Sequence, residues 1–181
     1  VRAELAQRTI FNLLGPLSNP AGAKHQLLGV FDRAWLVPLA ETLHQLGSTS
    51  AWVVHGSDGL DELTTTGTSY VASLHNGQVK EFEVSPEDVG LPQVEPEDLI
   101  GGSPDDNAKA LQDMLSGTPS AYRDIVALNA GAAFVTAGRV KTLKDGVDMA
   151  TSLIDSGQAR EKLNALIAFT QQDVFQQKSD A

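Results

Sequence analysis

Two apolar runs joined by a helical segment shape the first third of this chain. The runs Lys24–Phe31 and Thr49–His55 have the composition of buried strands, and Arg33–Leu46 between them follows a helical pattern. A strand, a crossover helix and a second strand predict a βαβ unit, whose two strands lie parallel in one sheet. Asp32 is predicted to cap the helix, while Pro38 marks either its true start or a kink.

A hairpin is predicted to follow this unit. Thr68–Leu74 and Val79–Val84 alternate between apolar and polar residues and flank Asn76-Gly77, a strong short-range hairpin signal. The sheet is therefore expected to be mixed. From about Pro104 onward the pattern is helical. The predicted helices are Asn107–Leu115, Tyr122–Val135, Leu143–Ile154 and Arg160–Phe169. We expect one α/β domain over residues 1–181.

The charge balance bears on the possible partners. The chain has 13 basic and 23 acidic residues, a formal net charge of −10, and no basic run. Nucleic-acid affinity comes largely from basic side chains that neutralise phosphates, so no nucleic-acid partner is expected. No apolar run has the length of a membrane span, and no membrane partner is expected. With no cysteine and no export signal at the N-terminus, we expect a cytoplasmic protein without disulfides or thiolate metal sites.

Three carboxylates follow the second predicted strand within five positions: Asp58, Asp61 and Glu62. In open α/β sheets, ligands collect at the carboxyl ends of the parallel strands. Mg²⁺ takes oxygen ligands and usually needs only one or two protein carboxylates plus substrate phosphates. The same residues also fit a solvated acidic turn in which an Asp caps the next element, and their types alone favour that plainer interpretation.

The run Arg8–Ala21 is too apolar for a surface linker, yet Gly15-Pro16 and Asn19-Pro20 are expected to break any regular element. Such a segment either lines a pocket for a flat apolar ligand or packs into the core as a connection. Arg2 is the nearest guanidinium able to make a two-pronged contact with a carboxylate, although a surface arginine is the commoner case.

Other polar residues point to structural roles. The four histidines have no metal-ligand spacing, and the sequence contains no Ser/His/Asp elbow. Asn129 lies on a predicted buried helix, where an amide must be hydrogen-bonded. It is therefore predicted to be structural.

The sequence resembles a known family at several places. Val1-Arg2, the run Arg8–Pro20 and Asp58–Glu62 closely resemble anthranilate phosphoribosyltransferase of tryptophan biosynthesis. Gly101-Gly102 with Asn107-Ala108, and Leu128–Gly131, fit the same family. The resemblance runs over nearly the whole chain. It implies a mixed, mostly parallel central sheet flanked by helices, like the large domain of nucleoside phosphorylases and phosphoribosyltransferases.

In that family, the amino group of anthranilate displaces pyrophosphate from C1 of phosphoribosyl pyrophosphate (PRPP), using Mg²⁺. The resemblance implies that Asp61 and Glu62 hold Mg²⁺ on the diphosphate. The substrate-binding residues that it implies are Arg2, Asn12, Gly15 and Pro16, with Arg2 contacting anthranilate and Pro16 lining the aromatic pocket. The aryl amine is neutral at pH 7, so positioning matters more than a strong base, and no catalytic base is predicted.

The sequence also departs from the family. The family's glycine-rich phosphate loop, its Lys-His-Gly-Asn segment and its N-terminal helical domain have no counterpart here. We therefore expect the C-terminal part of a larger enzyme, with little transferase activity alone and an unpaired sheet edge. The family forms homodimers chiefly through the helical domain that is absent from this sequence. The alternatives are a pyrimidine nucleoside phosphorylase-like enzyme, a non-enzymatic relative that binds nucleic acid, and an inactive remnant.

Overall fold

The computed structural model describes residues 11–171, except for the side chains of Phe11 and Asn12. The strands in this range are β1 (His25–Gly29), β2 (Ser50–Gly56), β3 (Ser69–His75) and β4 (Gln78–Val84). The helices are α1 (Phe11–Leu17), α2 (Leu36–Gln45), α3 (Pro104–Leu115), α4 (Ala121–Thr136), α5 (Leu143–Asp155) and α6 (Gln158–Thr170). Short 3₁₀ turns occupy Arg33–Trp35, Pro86–Val89 and Pro96–Leu99. No helix within the described range combines the length and apolar character needed to cross a bilayer.

The strands form one mixed sheet in the order β1-β2-β3-β4. β1 and β2 are parallel, with Gly29 opposite Val54, which confirms the predicted βαβ unit. β2–β3 and β3–β4 are antiparallel. The mixed sheet with flanking helices is confirmed. Among these strands one pair is parallel and two are antiparallel, however, because β3 of the hairpin pairs antiparallel with both β2 and β4.

The hairpin turn follows from its two central residues. Asn76 has φ 50° and Gly77 has φ 75°. Positive φ at both positions gives a turn whose twist matches the twist of the strands on either side. The turn fixes the register of β3 against β4, with His75 opposite Gln78. The predicted hairpin is therefore confirmed.

Alternation along the strands buries both faces of the sheet. On one face, residues of β2 and β3 pack with buried leucines of α2; we call this the α2-side cluster. Its fully or nearly buried members include Leu36, Leu43, Val53 and Leu74. On the other face, Trp52, Val54 and Val71 pack against α4 and α5; we call this the α4-side cluster. The result is helices on both sides of a central sheet.

Several predicted element boundaries are adjusted by the structure. The segment predicted as one helix from Arg33 begins as a 3₁₀ turn, capped by the Asp32 carboxylate, which accepts a hydrogen bond from the Ala34 N–H (2.9 Å). α2 begins at Leu36, so Pro38 falls in its first turn, where a missing N–H costs little. The expectation that Gly15-Pro16 breaks any regular element was wrong. Both residues lie inside α1, a helix so short that proline removes few of its hydrogen bonds.

α4 and α5 approach each other closely at two glycines. A Cβ added to Gly146 would lie 2.4 Å from the Gly131 carbonyl oxygen, and one added to Gly131 would lie 2.7 Å from the Val147 nitrogen. Neither helix tolerates a side chain at this crossing without moving. α4 is therefore anchored to α5 by backbone contact as well as by the α4-side cluster.

Candidate functional site

The site is built around residues 57–68, which connect β2 to β3; we call this segment the acid loop. β1 and β2 are parallel, and Val30 continues the ladder by donating its N–H to the Val54 carbonyl (2.9 Å). The ends of both strands therefore lie at one edge of the sheet. The acid loop leaves this edge directly after Gly56, so its carboxylates lie where ligands of open α/β sheets bind.

Asp58 ties the acid loop to itself. Its Oδ2 accepts hydrogen bonds from the Thr64 hydroxyl (2.6 Å) and the Thr66 hydroxyl (2.7 Å), and its Oδ1 accepts one from the Leu60 N–H (3.1 Å). Burial alone would raise the pKa of Asp58. The hydrogen bonds from Thr64, Thr66 and Leu60 outweigh burial and lower this pKa below its ordinary value of 3.8. Asp58 is thus a structural carboxylate, held ionised by its donors.

The floor of the acid loop is buried. Leu63, Thr64 and Thr65 are all 0% exposed. The Thr64 N–H donates to the Ser69 hydroxyl (2.9 Å), and the Thr65 carbonyl accepts from the Val94 N–H (3.0 Å). The three residues that directly follow the acids are therefore part of the core.

A side chain from α4 reaches the same stretch of backbone. The Asn129 Oδ1 accepts a hydrogen bond from the Leu63 N–H (3.0 Å), and the Asn129 Nδ2 donates to the Leu63 carbonyl (2.8 Å). The same Nδ2 also donates to the Ile125 carbonyl, one turn earlier in α4 (3.0 Å). The predicted structural role of Asn129 thus has a definite partner, the residue that directly follows Glu62.

Gly29, at the end of β1, lies against the backbone of Asp61. A Cβ at Gly29 would lie 1.5 Å from the Asp61 carbonyl oxygen and 2.5 Å from its carbonyl carbon. A distance of 1.5 Å is far inside van der Waals contact, so only glycine fits this position without a shift of the acid loop. The backbone of Asp61 therefore rests directly on β1.

Asp61 and Glu62 differ from Asp58 in that their side chains have no partner among the residues that the structure describes. Within residues 11–171, neither carboxylate accepts a hydrogen bond or forms an ion pair, and both side chains are exposed. Partial burial, and then the negative charge of Asp61, raise the pKa of Glu62 above its ordinary value of 4.5. Two adjacent, unneutralised carboxylates on a fixed backbone form a favourable place for a cation.

The donor set fits Mg²⁺ in particular. Among the described residues, no group of three or more His, Cys, Asp or Glu side chains is arranged to hold a metal ion, so there is no all-protein cage. Mg²⁺ keeps several waters and is typically bound by one or two carboxylates together with substrate phosphates. Asp61 and Glu62 match that requirement, and they match zinc or calcium sites poorly.

A cavity of about 210 Å³ lies beside the acids. Asp61 contributes the charged part of its wall, and α1 contributes Leu13 and Pro16. The rest of the wall comes from β1, the residues directly after it and α2, namely Leu28, Gly29, Val30, Phe31 and Leu39. Most residues of the wall have apolar side chains, but polar atoms supply more of the surface that faces the cavity than apolar atoms do. The cavity joins two stretches that are distant in sequence.

The structure brings together some of the predicted site residues. Pro16 and Asp61 line one cavity, and Glu62 follows Asp61 on the acid loop. Gly15 lies on α1 but is not part of the cavity wall. Arg2 lies outside the described residues, and Asn12 lies on α1 with a side chain that the structure does not describe. The assigned roles of these residues remain predictions.

Sequence reasoning missed two contacts at the site. The glycine at position 29 did carry a signal, because glycine inside a strand pattern often marks a close backbone approach. The pairing of Asn129 with Leu63 had no local signal, since 66 positions separate the two residues.

Two histidines near the strands have the structural roles that the sequence predicted. The Nδ1–H of His55 donates to the Val30 carbonyl (2.8 Å), and the Nδ1–H of His25 donates to the Thr136 carbonyl (2.9 Å). A carbonyl oxygen can only accept, so Nδ1 must carry the proton in both rings. Both histidines hold main-chain segments together.

A larger cavity of about 510 Å³ lies away from the acid loop, beside the start of α3. Its wall includes two carboxylates, Asp98 and Asp106. Both already serve as caps, because Asp98 accepts a hydrogen bond from the Glu95 N–H (3.2 Å) and Asp106 accepts one from the Ser103 N–H (3.0 Å). Despite its size, this cavity offers no uncommitted acidic group, and the acid loop remains the stronger candidate.

Comparison with known proteins identifies the family of the chain. A family model described as "Glycosyl transferase family, a/b domain" matches residues 1–160. The chain is 62% identical over 167 residues to the anthranilate phosphoribosyltransferase of Bradyrhizobium diazoefficiens, covering 92% of this chain and 50% of that protein. The chain therefore spans about half the length of the relatives that it matches.

Solved structures show the same fold. The anthranilate phosphoribosyltransferase of Thermus thermophilus superposes with a TM-score of 0.85 at 45% identity, over 93% of this chain and 50% of that one. The enzyme of Saccharomyces cerevisiae in complex with PRPP and Mg superposes with a TM-score of 0.79 at 28% identity, over 90% of this chain and 47% of that one.

Proposed function

This chain belongs to the glycosyl transferase family, matching its α/β domain, and on that premise we propose that it contributes to phosphoribosyl transfer from PRPP to anthranilate. The products are N-(5-phosphoribosyl)anthranilate and pyrophosphate, within tryptophan biosynthesis. The proposal treats residues 1–181 as one α/β domain that works in the cytoplasm. The names of the relatives support the reaction, and the site supports the share of it that falls to this chain.

One observation carries the proposal: Pro16 and Asp61 line the same cavity. A phosphoribosyl transferase must hold a charged diphosphate and a flat aromatic acceptor side by side, because the bond that forms and the bond that breaks share one carbon. The Asp61 carboxylate and the apolar side chains of Leu13 and Pro16, in one wall, provide both surfaces. An acidic surface turn and an apolar core connection, considered separately, give no reason for the two stretches to meet.

Asp61 and Glu62 are proposed to hold Mg²⁺ on the diphosphate. Bound there, Mg²⁺ neutralises charge that builds on the leaving diphosphate oxygens. The backbone that carries the two acids is held by Gly29 and Asn129, so their side chains are what must rotate toward a bound cation. A backbone that is already in place lowers the barrier, because little free energy is spent on moving it during the reaction.

The apolar side chains of Leu13 and Pro16 are proposed to receive the anthranilate ring on one side of the cavity. Arg2 is proposed to pair with the carboxylate of anthranilate. The acceptor amine is neutral at pH 7, so holding it in line with C1 of the ribose is the main requirement. No side chain of this chain is assigned as a base.

The test uses a hybrid enzyme, in which this chain replaces the matching half of the Bradyrhizobium relative. The chain alone is assayed in parallel. Replacing both acids (Asp61→Asn with Glu62→Gln) should lower kcat/KM for anthranilate by about 100-fold or more, because the leaving-group charge loses its counter-ion. Glu81→Gln, on the exposed face of β4, is the matched control and should retain activity.

Unchanged turnover and Mg²⁺ dependence in the double variant would overturn the proposal. Phosphorolysis of thymidine or uridine by the hybrid, without transfer to anthranilate, would instead support the pyrimidine nucleoside phosphorylase alternative.

A further inference from the structure

The backbone around Asp61 and Glu62 is held on both sides of the two acids. Before them, the Leu60 N–H is fixed by Asp58. At Asp61, the carbonyl lies against Gly29 with no room for a Cβ. After them, Leu63 is paired with Asn129. Of these contacts, the one from Asn129 is made by a helix, α4, which packs on the sheet through the α4-side cluster.

The carboxamide of Asn129 suits this contact by its chemistry. Pairing with both the N–H and the carbonyl of one residue requires an acceptor and a donor on the same planar group, which an amide provides and a carboxylate does not. The additional bond to Ile125 (3.0 Å) fixes the carboxamide on its own helix. The position of α4 is thereby transmitted to the main chain of Leu63.

The side chain of Leu63 is 0% exposed within the α4-side cluster. Leu63 therefore cannot rotate freely to compensate for the loss of its hydrogen bonds to Asn129. The next residue toward the N-terminus is Glu62. A shift of the Leu63 peptide groups therefore moves the main chain from which the Glu62 side chain extends, directly beside Asp61.

α4 does not need this hydrogen bond for its own placement. It is anchored by the backbone contact between Gly131 and Gly146, and by Ala127, Leu128 and Ala132 in the α4-side cluster. The two bonds from Asn129 to Leu63 are thus an addition to the packing of α4, directed at the acid loop.

We propose that Asn129 is a positioning residue, which sets the direction of the Asp61 and Glu62 carboxylates toward a divalent cation by pairing with the main chain of Leu63. The inference rests on the proposed function, since it takes these two acids as the cation ligands. Asn129 itself touches neither cation nor substrate.

The first test uses the 181-residue chain with Mn²⁺ as the probe. Paramagnetic broadening of the amide NMR signals of the acid loop reports both where the cation binds and how tightly. Asn129→Ala should weaken Mn²⁺ binding by about tenfold, the lower end of what removing a supporting contact around metal ligands costs. Val126→Ala is the control, because it removes packing from the same helix on the side facing Met114, Leu115 and Ile154.

The second readout is kinetic and uses the hybrid enzyme. Asn129→Ala should raise the Mg²⁺ concentration needed for half-maximal activity about tenfold, while Val126→Ala should leave it unchanged even where it lowers thermal stability. A residue with a merely structural role would affect stability without this change in Mg²⁺ dependence. If Asn129→Ala does not fold, Asn129→Ser carries the same test.

The possible outcomes distinguish the positioning role of Asn129 from the proposed transferase reaction. Equal Mn²⁺ affinities for Asn129→Ala and the unaltered chain overturn the positioning role and leave the proposed reaction standing. Weakened Mn²⁺ binding in Asn129→Ala, together with an unaltered hybrid that transfers nothing to anthranilate, supports the positioning role and refutes the reaction. Absence of Mn²⁺ broadening at the acid loop of the unaltered chain, both with and without inorganic pyrophosphate, overturns the cation site on which both claims rest.

Discussion

The two walls of the candidate site are held in different ways. The acid loop is fixed by contacts from distant parts of the chain, through Gly29 from β1 and Asn129 from α4. In the segment that carries Pro16, residues 13–22, the hydrogen bonds within the described part of the chain are local. Examples are the Ser18 hydroxyl to the Leu14 carbonyl (2.8 Å) and the Ala21 N–H to the Asn19 side chain (3.0 Å).

This segment is joined to the rest of the described protein mainly by apolar packing, with Leu13 and Leu17 against the α2-side cluster. Hydrogen bonds specify a direction, whereas apolar burial is non-directional and tolerates sliding. Cation ligands must be placed within a fraction of an ångström, while a flat ring needs only a wall of the right shape. The difference between the two walls therefore corresponds to a difference in what each one binds.

The largest expected effect is a difference in the free energy of unfolding between two leucine-to-alanine variants, one from each wall. Leu63→Ala should lower the free energy of unfolding by about 3 kcal/mol, because it leaves a cavity in a fully buried site. Leu13→Ala should lower it by about 1 kcal/mol, because Leu13 is only half-buried. Urea denaturation of both variants measures the contrast. Equal losses would show that the two walls are held equally firmly.

A smaller effect is expected where β1 supports the acid loop. Gly29→Ala should lower the free energy of unfolding by about 2 kcal/mol, because the new Cβ forces the Asp61 backbone away from the strand. Gly67→Ala is the control within the acid loop, since its Cβ would meet only the Ser57 hydroxyl (2.8 Å), which can rotate away. Denaturation curves in which the two variants coincide would rule out β1 as the support.

The pH dependence of Asp58 provides a finer test. Its pKa is lowered in the folded state, so its contribution to stability is present above the ordinary value of 3.8 and is lost as the pH falls through the folded pKa. Asp58→Asn should therefore be less stable than the unaltered chain near pH 7, and the gap should close below about pH 3.8. Thermal melts between about pH 3 and pH 7 measure it. A gap that is independent of pH would exclude an ionised Asp58 as the cause.

The smallest effect, of opposite sign, is expected at Glu62. Its pKa is raised in the folded state, so ionising it opposes folding as the pH rises through the ordinary value of 4.5. Without a divalent cation, Glu62→Gln should match the unaltered chain at low pH and become slightly more stable above about pH 4.5. The same melts provide the comparison. A variant that is less stable near pH 7 would contradict this account of Glu62.

The elements that the sequence predicted best are those with local signals. Asn76-Gly77 specifies its own turn, and the strand–helix–strand order specifies the parallel pair. α1 was missed because Gly15 and Pro16 disfavour helix, a tendency that apolar packing of Leu13 and Leu17 overrides.

For the site, the sequence placed Asp61 and Glu62 at the correct edge of the sheet, since they directly follow a parallel strand. It could not show that Pro16 shares a cavity with Asp61, or that Asn129 reaches Leu63. Such contacts depend on how α1 and α4 pack on opposite faces of the sheet. Periodicity within a single segment carries no information about that packing.

The two outer strands of the described sheet differ in character. β4 carries Lys80, Glu81 and Glu83 as exposed side chains, and charges on an edge strand discourage another strand from pairing with it. β1 is short and contains no Asp, Glu, Lys or Arg, and within residues 11–171 it pairs with β2 alone. The sheet thus has one edge that repels neighbours and one that accepts them, so additional strands can extend it in only one direction.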